Sequence, residues 1–597
     1  MAHEIPFRTG SSSDSNGCVL SGRESGQASA ISCFQCRGRK VKCDRLKPNC
    51  SRCVRLGDEC VFPTSRQKRM IRKKNPAGTL ETRLARLEEM LEQSGGANAL
   101  LNDPEVPSLG NELIGLGQFE QLPPSHLTER LVALYFDELS QDAPMLHRAR
   151  YTASLRRPCH MRPPMSLQYA VLALAATTRQ EFTHLAMPFY ERSRRYAEAD
   201  EMKGQGEYFT TIAHTQCWCL LGSYESQQLI FSRASVSLSK SVRMAQMLWL
   251  HRLDSPQQPT DPPLQPPRDY FEVEERRRTW WVVFCSDRFV SGITGWPALI
   301  NDKDIETRLP ASDEAFDMGT NEPTPWLRDA LRGTVSYSPF AGKVLTAHTF
   351  YRTLEHTFRS FSNDDVENTT DGPYWIRQRG IDADLSNMIL YLPESLRLPQ
   401  CAWNRNAIIV NVGIHTSVIC IHRAALAKIR ELGLSVDLFA DSRLRLLPSA
   451  EQILNALKSS GDIQGAMNDH FLVFSAYLAS LIFLEDYMQT QSRQSEHHLH
   501  NILGAMADAG VKDPFSRSLA IQLATGMRQS RHNGQFPILT LLMTGKQVQE
   551  LPPTSVSVPI LAKRDKASTH ITFCSILPSR MDDYSGSPNR IEAYMGL

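Results

Sequence analysis

The stretch CFQCRGRKVKCDRLKPNCSRCVRLGDEC, residues 33–60, decides how the N-terminal part of this chain folds. Its six cysteines, Cys33, Cys36, Cys43, Cys50, Cys53 and Cys60, form a duplicated C-x2-C-x6-C unit. Zinc takes four tetrahedral ligands. Six thiolates therefore saturate one ion with two to spare, or two ions if two sulfurs are shared. The duplication makes the first cysteine of each half, Cys33 and Cys50, the natural shared pair. The other eight of the chain's 14 cysteines are scattered, so the clustering marks a local site. The N-terminus lacks the charged start, apolar run and cleavage site of a secretory signal. A reducing compartment is therefore expected, where clustered cysteines bind metal more often than they pair.

Charge is as uneven as cysteine usage. From Cys33 to Lys74 there are 14 Lys and Arg against Asp44, Asp58 and Glu59, a local charge of +11 in a 597-residue chain whose net charge is +2, which leaves the remainder at −9. A basic head on a mildly acidic body excludes a uniformly basic architectural protein and a wholly acidic disordered one. Inside the cysteine block, the first half carries Arg37, Arg39, Lys40 and Lys42 between its second and third cysteines. The same interval of the second half reads Val54-Arg55-Leu56-Gly57-Asp58-Glu59. Only the first half suits a polyanion.

At these residues the sequence resembles the fungal binuclear zinc cluster transcription factors. Cys36-Arg37-Gly38-Arg39-Lys40-Val41-Lys42-Cys43-Asp44 matches the signature Cys-Arg-x-Arg-Lys-x-Lys-Cys-Asp in full, and Pro48 stands for the proline of the inter-half loop. The resemblance implies a small metal-stabilised domain of two short helices over residues 32–62, holding two Zn²⁺ ions bridged by Cys33 and Cys50. Cys36 and Cys43 would complete one site, Cys53 and Cys60 the other. It implies that Arg39 and Lys40 read a CGG-type triplet in the major groove of double-stranded DNA. Arg37, Lys42 and Arg52 would touch phosphates, which positions the module without specifying sequence.

Residues 1–31 are Ser/Gly-rich and expected to be disordered. A basic linker spans 63–78, and its run Arg66 to Lys74 reads as a nuclear localisation signal, a phosphate-contacting linker or a solvated tail. Leu80, Leu84, Leu87 and Leu91 recur at spacings of 4, 3 and 4, predicting a short coiled coil over 79–93 that ends at Gly95 and Gly96. It is either a homodimerisation helix, where the family places one, or an amphipathic helix packed on the body. A second linker covers 94–125.

Helical periods without strand alternation predict an all-α body from 126 to 546, followed by a loosely ordered tail, 547–597. Leu127, Leu131, Leu134 and Tyr135 share one face, as do Leu167, Val171 and Leu174. The charge-free apolar stretch Phe471 to Leu484 is shorter than the ~20 residues of a membrane-spanning helix and reads as a core helix, so no membrane partner is expected.

One stretch of the body, Glu274-Glu275-Arg276-Arg277-Arg278-Thr279-Trp280-Trp281, then Phe284, Asp287-Arg288, Gly295, Pro297, Asp302, Asp304-Ile305 and Leu309-Pro310, resembles the core motif of the fungal-specific transcription factor regulatory domain. Ser241 to Asp254 looks like the helix preceding it. Physically, Trp280, Trp281 and Phe284 read as core, and Arg276 to Arg278 with Asp287 and Arg288 as a structural ion network. No nucleophile and base stand nearby, so no enzyme is expected. Cys217-Trp218-Cys219 reads as buried thiols, and His497-His498-Leu499-His500 as a solvated loop.

The expected function is a nuclear, zinc-dependent, sequence-specific regulator of RNA polymerase II transcription. It would act as a homodimer with the transcription machinery and with room for a small-molecule effector. By analogy with regulators of this build, its targets would be a metabolic or secondary-metabolite gene cluster. The rival is a metabolite-binding or protein-interaction protein that uses the cluster as a binding module.

Overall fold

The computed structural model describes residues 32–39, 41–62, 123–204, 208–257, 260–294, 296–358, 364–433, 440–467, 469–511 and 513–529. The expected N-terminal segment 1–31, the basic linker 63–78, the coiled coil 79–93 with its four leucines, nearly all of linker 94–125 and the tail 547–597 lie outside these residues, as does Lys40. The chain divides into two compact units between Glu112 and Leu113.

The described part of the first unit holds two short helices, α1 (Phe34–Gly38) and α2 (Ser51–Leu56). Its core is made of sulfur. Cys33, Cys36, Cys43, Cys50 and Cys53 are buried, with Val41, Cys60 and Phe62 packed against them. Phe34, Leu46, Val54, Leu56 and Val61 stay exposed. So little apolar burial cannot offset the ordering of these residues, and a metal crosslink supplies what the side chains lack.

Helices are the regular secondary structure of the second unit's described residues. Its first layer comprises α3 (Ser125–Leu134), α4 (Arg148–Leu155), α5 (Met165–Thr177), α6 (Thr183–Glu201), α7 (Ile212–Gln227), α8 (Phe231–Met247) and α9 (Tyr270–Thr294). After the short helices α10 (Asp313–Met318) and α11 (Leu327–Leu331) come α12 (Pro339–Phe358), α13 (Pro373–Leu390) and α14 (Arg405–Glu431). The last group is α15 (Ala440–Ser459), α16 (Ile463–Ala466), α17 (His470–Thr490), α18 (Arg493–Ala509) and α19 (Pro514–Gln529). Helices adjacent in sequence pack on each other, α5 on α6 and α7 on α8, while α12 bridges distant parts by packing on α9 and α14.

Two hydrophobic cores fill this unit, and α14 serves both. Its Ala407, Val410, Ile414, Val418 and Ile421 belong to the core built with α3–α9, whereas Ile408, Ile409, Val412, Ile419 and Leu426 belong to the core built with α15–α19. A helix apolar all round must lie inside. Gly413 permits the closest approach: a Cβ there would stand 2.2 Å from Thr346 Cγ2 of α12 and 3.2 Å from Phe471 Cζ of α17. By length and hydropathy α14 and α17 could each cross a bilayer, but 83% and 72% of their apolar windows are buried in this unit, as core helices are.

Three expectations are corrected. Leu167, Val171 and Leu174 are buried as foreseen, but α5 is not one-sided: every residue from Ser166 to Ala176 except Gln168 is buried, because helices cover it on several sides. Ser241 to Asp254 is not one helix. α8 starts at Phe231 and stops at Met247, Trp249 takes a left-handed conformation, and Leu250–Arg252 forms a single 3-10 turn. His497–His500 is not a loop but part of α18. The Ser492 side chain caps it by accepting from the Ser495 N–H, Leu499, Ile502, Leu503 and Met506 are buried, and His498 packs on the Phe483 ring at 4.8 Å. The polar surroundings concealed a one-sided helix whose apolar residues begin only at Leu499.

Candidate metal centre and nucleic-acid interface

The duplicated sequence folds into a duplicated hydrogen-bond pattern. In the first half the Cys36 N–H donates to Cys33 Sγ at 3.4 Å, and in the second the Cys53 N–H donates to Cys50 Sγ at 3.4 Å. Likewise Val41 N–H reaches the Cys36 carbonyl at 3.0 Å, as Asp58 N–H reaches the Cys53 carbonyl at 3.0 Å. Each C-x2-C turn thus aims two sulfurs inward. Asp44 joins the halves by accepting from the Ser51 N–H at 3.0 Å, at the start of α2. The Ser51 side chain first, with this N–H and that of Leu46 beside it, holds the Asp44 carboxyl below its ordinary range against the pull of burial.

The six sulfurs gather into two overlapping groups of four: Cys33, Cys36, Cys43 and Cys50, then Cys33, Cys50, Cys53 and Cys60, with the sulfurs of each group within 4.8 Å of one another. Cys33 Sγ lies 3.8 Å from Cys50 Sγ, 3.8 Å from Cys53 Sγ and 3.9 Å from Cys43 Sγ, and Cys36 Sγ lies 3.8 Å from Cys50 Sγ. A tetrahedron of sulfurs each about 2.3 Å from zinc has edges of about 3.8 Å, so the donor set fits the ion in size as well as in chemistry.

The sulfurs common to both groups are also the ones most ready to ionise. The Cys53 N–H brings the Cys50 thiol down to about 6. Against the pull of burial, hydrogen bonds led by the Cys36 N–H lower Cys33. Burial and the adjacent sulfurs push Cys36 up to about 12 and raise Cys53. Packing so many sulfurs together favours a dication that displaces their protons.

Of the residues expected at DNA, Arg37 lies on α1, Arg39 follows its last turn, and Lys42 and Arg52 are exposed. Arg39 is not free. Its Nη1 donates to Asp58 Oδ2 and its Nη2 to Asp58 Oδ1 at 3.3 Å, a two-pronged pair between the halves. Sequence reading took Asp58 only as a sign that the second half avoids polyanions. A partner 19 residues away shows no local pattern.

Family comparison finds a match to the fungal Zn(2)-Cys(6) binuclear cluster domain over residues 31–69 and to the fungal specific transcription factor domain over 132–346. The azaphilone cluster-specific transcription factor azaR of Aspergillus niger is 30% identical over 393 residues, covering 64% of this chain and 82% of that protein. The chain belongs to the fungal zinc-cluster transcription factors. The citrinin biosynthesis transcriptional activator mrl3 of Monascus ruber is 27% identical over 404 residues, 59% of the regulator and 78% of mrl3. The tropolone cluster transcription factor tropK of Talaromyces stipitatus is 26% identical over 377 residues, 55% and 67% of the two chains. No solved structure matches. The regulator is accordingly a DNA-binding transcription factor with a binuclear zinc cluster domain.

In its second unit, the charged motif of α9 acts as a staple. Glu274, fully buried, accepts from Arg277 Nη1 at 2.8 Å, from Arg278 Nε at 3.2 Å and from the Ala311 N–H at 2.9 Å. Arg278 also donates to the carbonyls of Ala311 and Ser312 and to Asp313. Asp287 accepts the Leu299 N–H at 3.0 Å, and Arg288 donates to the Ile300 carbonyl at 2.7 Å and to Asp302. Trp281 Nε1 donates to the Arg308 carbonyl at 2.7 Å. The polar side chains of α9 thereby satisfy the backbone of the non-helical stretch that follows it, which a buried loop requires. Trp280, Trp281 and Phe284 are fully buried, and so are Cys217 and Trp218 of α7.

Proposed function

We propose that the regulator acts in the nucleus, binds double-stranded DNA as a homodimer through Leu80, Leu84, Leu87 and Leu91, and reads CGG-type triplets with Arg39 and Lys40. Cys33 and Cys50 bridge its two zinc ions, Cys36 and Cys43 complete one site, and Cys53 and Cys60 complete the other. Arg37, Lys42 and Arg52 contact phosphates. Its targets are the genes of a biosynthetic cluster, the role for which azaR, mrl3 and tropK are named. The domain order of this reading is the cluster at 32–62, the coiled coil at 79–93 and the regulatory body at 126–546.

The observation that carries the DNA reading is the charge asymmetry of two halves with the same backbone pattern. Positions 37, 39, 40 and 42 are all basic, whereas positions 54, 56, 57 and 59, which follow 17 residues later, hold Val, Leu, Gly and Glu. Matching backbone bonds in the two halves with unlike charge support the first half as the one that meets the polyanion. Lys40→Ala should relax preference at one base pair, with a loss on the order of 1–3 kcal/mol on specific sites. Lys42→Ala should weaken specific and scrambled duplexes alike and flatten the salt dependence by about one unit of log-log slope. Equal effects of the two substitutions on both duplexes would refute the base-reading role. Chromatin immunoprecipitation with sequencing in the native fungus tests the gene-cluster assignment, and binding scattered away from any biosynthetic cluster would reject it.

A further inference from the structure

Three features of the first unit converge on one side chain. First, α1 is fastened to the second half at both ends: Phe34 N–H donates to the Val61 carbonyl at 2.9 Å, Gln35 Oε1 accepts from the Val61 N–H at 3.2 Å, and Arg39 meets Asp58 just beyond its last turn. Second, Asp58 is delivered by the turn that closes α2. Gly57 ends α2 in a left-handed conformation (φ +68°), and the Asp58 N–H then closes on the Cys53 carbonyl. The equivalent residue of the first half is Val41, which has no carboxylate. Third, the pair occupies the end of the guanidinium fork, Nη1 and Nη2, and among the described residues Nε–H and the second Nη2 hydrogen, a parallel pair of donors, meet no acceptor.

We propose that Asp58 is a positioning residue for DNA recognition. It holds the Arg39 guanidinium so that its Nε/Nη2 edge is available to guanine O6 and N7. This rests on the reading that Arg39 contacts a base. The Arg39 side chain is 56% exposed and that of Asp58 25%, so the pair adds little to stability. Its effect is to restrict a long side chain before DNA arrives, which lowers the entropy lost on binding. The Asp58 carboxylate also repels phosphates, so it weakens attachment to every sequence while sharpening attachment to the right one.

The test uses the full-length zinc-loaded chain and selection from a pool of randomised DNA duplexes, comparing wild type, Asp58→Asn, Asp58→Glu, Arg39→Ala and the double variant Arg39→Ala/Asp58→Asn. Arg39→Ala should erase preference at one base position. Asp58→Asn should lower preference at that same position on the order of fivefold, raise affinity for scrambled duplex and leave two zinc ions bound by native mass spectrometry. Asp58→Glu should restore part of the preference, and Asp58→Asn should lower preference no further once Arg39 is gone. Unchanged or sharpened preference in Asp58→Asn, or its loss of zinc, overturns the positioning role while the base-reading role of Arg39 stands. If Arg39→Ala alters no position, the base-reading role itself falls, and the positioning role with it.

Discussion

Replacing Glu274 with Gln asks whether the charged motif of α9 is a staple, as its geometry indicates. The substitution keeps size and one carbonyl oxygen. That oxygen can still accept from the Ala311 N–H and Arg278 Nε, which share Oε1 in the native protein, but the new amide NH₂ then faces Arg277 Nη1, donor against donor. Breaking a buried pair from one side costs about 3–5 kcal/mol. Arg277 keeps Asp254 at 3.0 Å and Arg278 keeps Asp313 at 2.7 Å, so the lower end, about 3 kcal/mol, is expected. For a unit of this size each kcal/mol moves Tm by about 1–2 °C, so Glu274→Gln should melt about 3–6 °C below wild type. Circular dichroism at 222 nm at one fixed heating rate measures this, the fixed rate being needed because large chains often unfold irreversibly. Limited proteolysis should open first in the stretch 296–313, which α9 no longer holds. A Tm within 1 °C of wild type, or first cleavage elsewhere, would refute the staple, and zinc content should not change in either case.

The remaining expectations concern metal, assembly and pH. Native mass spectrometry should count two zinc ions, Cys33→Ala and Cys50→Ala should each lose both, and Cys60→Ala chiefly one; a single ion in the wild type would reject the shared-sulfur arrangement. Leu84→Pro should abolish retention of duplexes with paired triplets in a mobility shift while leaving weak binding to one triplet, and sedimentation should show a monomer; wild-type behaviour would mean the leucine repeat packs on the body instead. Burial pushes His348 and His356 down to about 4, against the pull of Asp302 on the first and of the Gln378 hydrogen bond and Asp364 on the second, with Arg288, Arg352 and Arg377 adding to the depression. The unfolded chain then takes up protons that the folded chain refuses, so the stability from these residues is complete above pH 6.5 and lost as pH falls toward 4, on the order of 3 kcal/mol for each. His356→Gln should flatten the decline in Tm between pH 6.5 and 4.5, and an unchanged slope would show that His356 titrates normally.

What could be read from sequence was what repeats locally. The spacing of six cysteines marks a metal-binding cluster and narrows it to one ion or to two that share sulfurs, because ligand number is arithmetic and the C-x2-C turn is a property of four consecutive residues. The charge contrast between residues 37–42 and 54–59 is likewise legible, because it lies within runs of six consecutive residues. In the body, Trp280, Trp281 and Phe284 announce burial by composition alone. Tertiary structure decided the rest. α5 and α14 are buried on nearly all sides, which a one-face reading cannot anticipate because burial depends on how many neighbours arrive. α18 was hidden by polar residues on its exposed side until its apolar side met α17. Glu274 holds Ala311 from 37 residues away, and Asp58 holds Arg39 from 19 residues away. A hydrogen bond is local in space but not in sequence, so a carboxylate's partner is known only when the chain has folded back to supply it.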